Sequence, residues 1–205
     1  MAGPDWLRWA LTALFLAVAA YCVTRLARAR HVAALYRGCH RATDVGHGMM
    51  SAGMAVMCSP VGGPVPVAGW QTVFLVTTSW FAGSWFRQRR NRAAAEPIGW
   101  HAGDLHHAVA GLAMLYMLTA MPSGGGHARM AAPWVPAMSD VQFALPLVAW
   151  LFAGYFLVHA TLLSPRLVRP VPAGDTRLPA VLTAPRLAAS CQVFMAVGMS
   201  YLLVA

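Results

Sequence analysis

The chain has 205 residues, 59% of them hydrophobic and only 10% charged, with a mean hydropathy of +0.56, a balance too apolar for an ordinary soluble domain and suited to one membrane-embedded helical bundle. The net charge of +9 comes from arginine alone, since the chain has no lysine, and in an apolar chain such charge reports membrane orientation, so no nucleic-acid partner is inferred. Four cysteines (Cys22, Cys39, Cys58, Cys191) lack C-x-x-C spacing, which argues against a zinc knuckle or a redox pair and leaves them as small apolar fillers.

Apolar segments follow one another at 6–24, 42–58, 68–86, 98–121, 141–163 and 187–204. A helix needs about 20 residues to cross the hydrocarbon, with about 17 a practical minimum, so five segments qualify easily and the second is marginal. The first run ends in Ala19-Ala20-Tyr21-Cys22, which resembles a lipoprotein cleavage site. Tyr21 is too bulky there and the arginines follow the run, so the segment reads as a retained first span. Arginine placement decides the second segment. Arg25, Arg28, Arg30, Arg37 and Arg41 follow the first span; Arg87, Arg89, Arg90 and Arg92 follow the third; Arg166, Arg169, Arg177 and Arg186 lie between the fifth and sixth. With six crossings all of these fall on one side, leaving only Arg8 and Arg129 opposite, whereas five crossings would split the clusters. The expected architecture is therefore all-α: one six-span bundle over residues 1–205, in the cell membrane, with both termini outside the cytoplasm. Ser59-Pro60-Val61-Gly62-Gly63-Pro64 predicts a tight turn, Pro122-Ser123-Gly124 opens a long outer loop, and 165–185 is a proline-rich inner connector. Trp6, Trp9, Trp70, Trp85, Trp100 and Trp134 near span ends form an aromatic belt.

Two spans carry the same spaced pattern, Asp44-x2-His47-x6-Met54-x2-Met57 and Asp104-x2-His107-x6-Met114-x2-Met117. At 100° per residue, Asp44, His47, Met50, Met54 and Met57 share a stripe about 140° wide, and Asp104, His107, Met114, Met117 and Met121 repeat it. The second, fourth and sixth spans run in the same direction, so equivalent residues sit at equivalent depth, and the sixth adds Met195-x3-Met199. Seven residues of helix rise about 10.5 Å, which separates two layers. The inner layer holds Asp44, His47, Asp104, His106, His107 and His159; the outer holds Met54, Met57, Met114, Met117, Met121, Met195 and Met199. Thioethers suit Cu(I) and discriminate against hard cations, and a carboxylate one turn from an imidazole can fix its tautomer for ligation. Asp44, Asp104 and His159 are accordingly expected behind the ligands, with His127, Met130 and Met138 of the outer loop collecting the ion. Met is also an adaptable core filler, and its duplication at fixed spacing from His and Asp leaves a core and a site as evenly matched readings of the methionines, while ionisable residues inside a span point to function. His31, His40 and His101 fall in loop or interfacial positions.

Gly46-His47-x2-Met50-x3-Met54-Ala55-x-Met57, His106-His107-x6-Met114-x2-Met117 and Met195-Ala196-x-Gly198-Met199-x-Tyr201 resemble the signature helices of an uncharacterised actinobacterial family of multi-pass membrane proteins, designated only as a domain of unknown function. The resemblance implies fold and membrane location, and no activity. A looser similarity runs to CopD-type copper-resistance membrane proteins and to the Met-x3-Met helix of Ctr-type copper transporters.

The leading expectation is a copper-handling membrane protein, with metal ligands drawn from His47, Met50, Met54, Met57, His106, His107, Met114, Met117, Met195 and Met199. One alternative is a haem b electron carrier with His47 and His107 as axial ligands. Another is an intramembrane zinc hydrolase built on the paired Asp-x2-His motifs and His159, and a fourth is a structural subunit of a larger membrane complex. Whether the chain is an enzyme stays open, as do its partners beyond the bilayer, a membrane protein or a further copy of the chain.

Overall fold

A computed structural model of the chain describes residues 4–28, 38–91, 102–120, 145–168 and 185–204. Its elements are helices α1 (Asp5–Arg28), α2 (Gly38–Cys58), α3 (Val67–Asn91), α4 (Ala102–Ala120), α5 (Pro146–Leu163), a single turn α6 (Pro165–Val168) and α7 (Pro185–Val204). The six long helices lie on the six apolar segments. Three of them, α1, α5 and α7, are long and apolar enough to cross a membrane, and α4 carries a shorter apolar stretch, Leu105–Thr119. The apolar content of α2 is diluted by Arg41, Asp44, His47 and Ser51, and α3 ends in Arg87, Arg89 and Arg90.

Local chemistry sets the helix ends. Asp5 in the first turn of α1 and Arg25 and Arg28 in its last complement the helix dipole. After α2 the chain reverses in a tight turn: the Ser59 amide donates to the Ala55 carbonyl (3.0 Å) and the Gly62 amide to the Ser59 carbonyl (3.2 Å). Gly62 takes φ 75°, a left-handed conformation that disfavours any residue with a Cβ. Pro146 opens α5, where a missing amide costs nothing. The Tyr116 hydroxyl donates to the Leu145 carbonyl (2.7 Å), tying the end of α4 to the start of α5.

The tightest pairings are α1 with α2, α3 with α4, and α5 with α7; α2 also touches α4 and α7. Named contacts fix the directions. Arg8 donates to the Ser59 carbonyl at one end of the first pair, and Arg25 meets Asp44 at the other, so α1 and α2 are antiparallel. On α2, Gly46 lies beside His107 and Gly53 beside Met114, so α2 and α4 run parallel and in step. Ser51 reaches Met195 on α7 at an intermediate level. The buried core joins Met50, Met54, Met57, Met114, Met117, Met195 and Met199 with Phe15, Phe74 and Phe156. Large apolar side chains such as Leu147, Trp150, Leu151, Val158 and Leu162 of α5 point outward, while Asp44, His47, Ser51, His106 and His107 are buried. That inversion of the soluble pattern is what a hydrocarbon solvent demands.

Close approach of α2 to its neighbours rests on Gly53. A Cβ there would lie 2.6 Å from the Phe74 ring and 2.7 Å from the Met114 methyl. Gly154, by contrast, has nothing within 4 Å of where a Cβ would stand. Gly53→Val is expected to destabilise the bundle by about 1–3 kcal/mol through overpacking. Gly154→Ala should hold or slightly raise stability, because alanine is the better helix former by about 1 kcal/mol. Thermal unfolding of both variants in detergent checks this, and equal Tm values for the two would contradict it.

Candidate functional site

Four histidines meet in the interior near the start of α2 and α4. The rings of His47 and His107 are 4.6 Å apart, centroid to centroid, and tilted by 49°. Phe81 of α3 stacks on the other side of His107 at 4.8 Å, and Gly46 is what admits both: a Cβ there would stand 2.9 Å from His107 Cδ2 and 3.0 Å from the Phe81 ring. His106 touches His107 edge-on at 5.8 Å and lies flat against His159 of α5, with centroids 3.7 Å apart and planes 11° from parallel. Tyr155 flanks that stack, its hydroxyl 3.3 Å from His106 Nδ1. The inner layer is thus a chain of imidazoles, His47–His107–His106–His159, crossing the bundle from α2 through α4 to α5.

Asp44 does not serve His47 in the way its spacing suggests. Its Oδ2 lies 3.3 Å from Arg25 Nε of α1, an ion pair with both side chains largely withdrawn from solvent (12% and 4% exposed). Arg25 also sits over the Tyr21 ring, 5.5 Å from its centroid, with the Tyr21 hydroxyl 3.5 Å away. His47 Nε2 is buried with no hydrogen-bond partner among the described residues, a burial that costs about 1–3 kcal/mol. Asp104 falls on the first turn of α4, with its side chain outside the described set. Met121, His127, Met130 and Met138 lie outside the described residues altogether.

The outer layer holds Met54, Met57, Met114 and Met117, all fully buried, with Met50, Met195 and Met199 nearly so. They pack tightly: the crevice lined by Gly53, Met57, Phe74 and Met114 has no room for a water molecule. Ser51, fully buried one turn beyond His47, donates to Met195 Sδ at 3.0 Å. The hydroxyl thereby marks the junction of the two layers.

Among the described residues no three His, Cys, Asp or Glu side chains gather around a common point. Asp104, which the paired Asp-x2-His motifs would also bring to a zinc ion, has its side chain outside those residues. Trans ligation of one haem iron would separate the imidazole centroids by about 6 Å, given metal–nitrogen bonds of about 2 Å. The rings of His47 and His107, with centroids 4.6 Å apart, are closer together than that. Arg25, Ser51, Phe81 and Tyr155 are site residues that the spaced pattern did not supply. Ser51 shares the His47 stripe and was legible from it; Arg25 was absorbed into the orientation argument; Phe81 and Tyr155 stand on helices without the repeat.

Residues 39–205 match the family described as Domain of unknown function (DUF5134). No curated protein and no solved structure matches the chain.

Removing the donor to Met195 tests the junction. Ser51→Ala is expected to cost about 0.5–1.5 kcal/mol, the net worth of one hydrogen bond, and nothing further in a Met195→Leu background. A double-mutant cycle by denaturant unfolding reads the coupling, and additive effects would contradict the contact.

Proposed function

The chain belongs to the DUF5134 family, which carries no assigned activity, and we propose that it is a six-span protein of the cell membrane that binds a soft monovalent metal ion, Cu(I), where its imidazole pair meets its thioether layer. Three helices of sufficient length and apolarity support membrane residence. The remaining three are completed as spans by the arginine distribution and by burial of their polar faces against one another. The bilayer is then the principal partner.

One observation carries the reading: the buried His47 Nε2, without a hydrogen-bond partner among the described residues, faces a bundle interior shared with His107 and seven buried methionines. A nitrogen lone pair held dry in this way is poised to ligate. Cu(I) accepts few ligands and favours imidazole and thioether, so a His pair with a neighbouring methionine is a sufficient set. His47 and His107 are the proposed nitrogen ligands. Met50, Met54 and Met195 are the nearest thioethers along the helices, with Met57, Met114, Met117 and Met199 extending the sulfur layer outward. His106, paired with Tyr155 and His159, braces His107 from behind.

Purified protein reconstituted with Cu(I) under reducing conditions is expected to retain copper through gel filtration. His47→Leu and His107→Leu should each lose it, and a Met54, Met114, Met195 triple Leu variant should hold it weakly. Equal copper content across all four proteins would overturn the proposal. A Soret band after haem-supplemented expression would favour the haem alternative.

A further inference from the structure

Imidazole alone does not choose Cu(I) over Zn(II), because it is a good ligand for both. The thioethers add a preference for the soft ion, but His47 and His107 would still serve a divalent cation well if negative charge stood beside them. Asp44 is such a charge. It lies one helical turn from His47 on the same buried stripe, and carboxylate with imidazole is a familiar zinc donor set.

Arg25 answers that charge from α1. Its Nε is 3.3 Å from Asp44 Oδ2. The guanidinium is clamped in place by the Tyr21 ring at 5.5 Å and the Tyr21 hydroxyl at 3.5 Å. Both members of the pair are withdrawn from water, so salt screens them weakly, and charges this close to the imidazoles act on any ion held there. With the pair intact, Arg25 and Asp44 together contribute no net charge beside the imidazoles. Against that neutral pair a monovalent ion adds one positive charge to the bundle and a divalent ion adds two, a disparity that low-dielectric surroundings make costly.

We propose that Arg25 is a specificity-determining residue: by holding and neutralising Asp44 it withholds the carboxylate from His47 and confines the imidazole pair to a monovalent cation. The inference rests on the metal-binding reading above and adds to it the charge class of the ion and the residue that sets it. It also assigns Asp44 a second capacity, since the carboxylate that pairs with Arg25 becomes available to a divalent ion once that partner is gone.

The test compares wild type, Arg25→Gln, Asp44→Asn and the Arg25→Gln/Asp44→Asn double variant, each in detergent, by competitive titration with Ag(I), a redox-inert soft monovalent probe, and with Zn(II). Wild type is expected to bind Ag(I) and to bind Zn(II) at least tenfold more weakly. Arg25→Gln should tighten Zn(II) by about tenfold or more and Ag(I) by less, because the uncovered charge acts on twice the ionic charge. Asp44→Asn, which leaves Arg25 uncompensated, should weaken both, Zn(II) the more. The double variant, which buries no lone charge, should recover the wild-type preference and so guards against a single variant that fails to fold. Arg25→Lys keeps the charge and should keep Zn(II) weak.

Opposite signs for the two single variants are the signature of a charge role; a merely structural pair would weaken binding in both. If wild type binds Ag(I) but Arg25→Gln leaves the Zn(II)-to-Ag(I) ratio unchanged, the role of Arg25 is overturned while the metal site stands. If wild type binds neither ion, both fall.

Discussion

The site depends on how closely α2 and α4 can approach, and two missing side chains set that distance. Gly46 opens the space that His107 and Phe81 occupy, and Gly53 opens the space for Phe74 and the Met114 methyl. With a Cβ at either position the helices would separate, and the imidazole contact at 4.6 Å and the thioether packing above it would loosen together. Membrane helices lack a hydrophobic drive toward one another, so such small-residue contacts supply van der Waals contact where water supplies none. The parallel, in-step arrangement follows, and it puts residues related by sixty positions, His47 with His107 and Met54 with Met114, at one depth.

Polarity then grades along α2. The Arg25–Asp44 pair closes one end, His47 follows within a turn, Ser51 donates a hydrogen bond to Met195 Sδ a turn later, and beyond it the core is built of thioethers, aromatics and small or aliphatic side chains. The Arg25–Asp44 pair and the Ser51 hydroxyl each meet a complement inside the bundle, as a medium without water requires. Among the described residues His47 Nε2 has no hydrogen-bond partner, and neither have Trp70 Nε1 and Thr78 Oγ1; the proposed function gives the imidazole nitrogen a metal ion to hold. The methionines beside it pack as densely as any core, so an ion reaching the imidazoles through them would require thioether rotation, a motion this flexible side chain permits.

Much of this was legible in the sequence because membrane solvent makes its rules strict. Six apolar segments became six long helices with ends shifted by a few residues, and the stripe on α2 turned inward as its polarity demanded. The shared depth of His and Met followed from the repeat, since identical spacing on parallel helices leaves no other register that matches both layers. What spacing could not reveal was partnership between unlike helices. Asp44 at three residues from His47 has an obvious local partner, yet a guanidinium from α1 is a stronger claimant to a buried carboxylate than a neutral imidazole. Phe81 and Tyr155 brace the histidines from helices whose own patterns are plain, and the flat His106–His159 contact arises only from how α4 and α5 pack. The proposal that α2, α3 and α4 cross the bilayer rests on charge distribution, because α2 is diluted by Asp44, His47 and Ser51 of the site, α3 by its terminal arginines, and the apolar stretch of α4 is short.

Convergence of the α2 and α4 faces is the claim on which the chemistry stands, and cross-linking in a native-like bilayer tests it most directly. In a background with all four native cysteines replaced by alanine, Met54→Cys with Met114→Cys should be joined by a short bifunctional thiol reagent, whereas Met54→Cys with Leu112→Cys, whose side chain faces outward, should not. Efficient linkage of the outward pair, or free labelling of both inward cysteines by a lipid-soluble maleimide without linkage, would contradict the account.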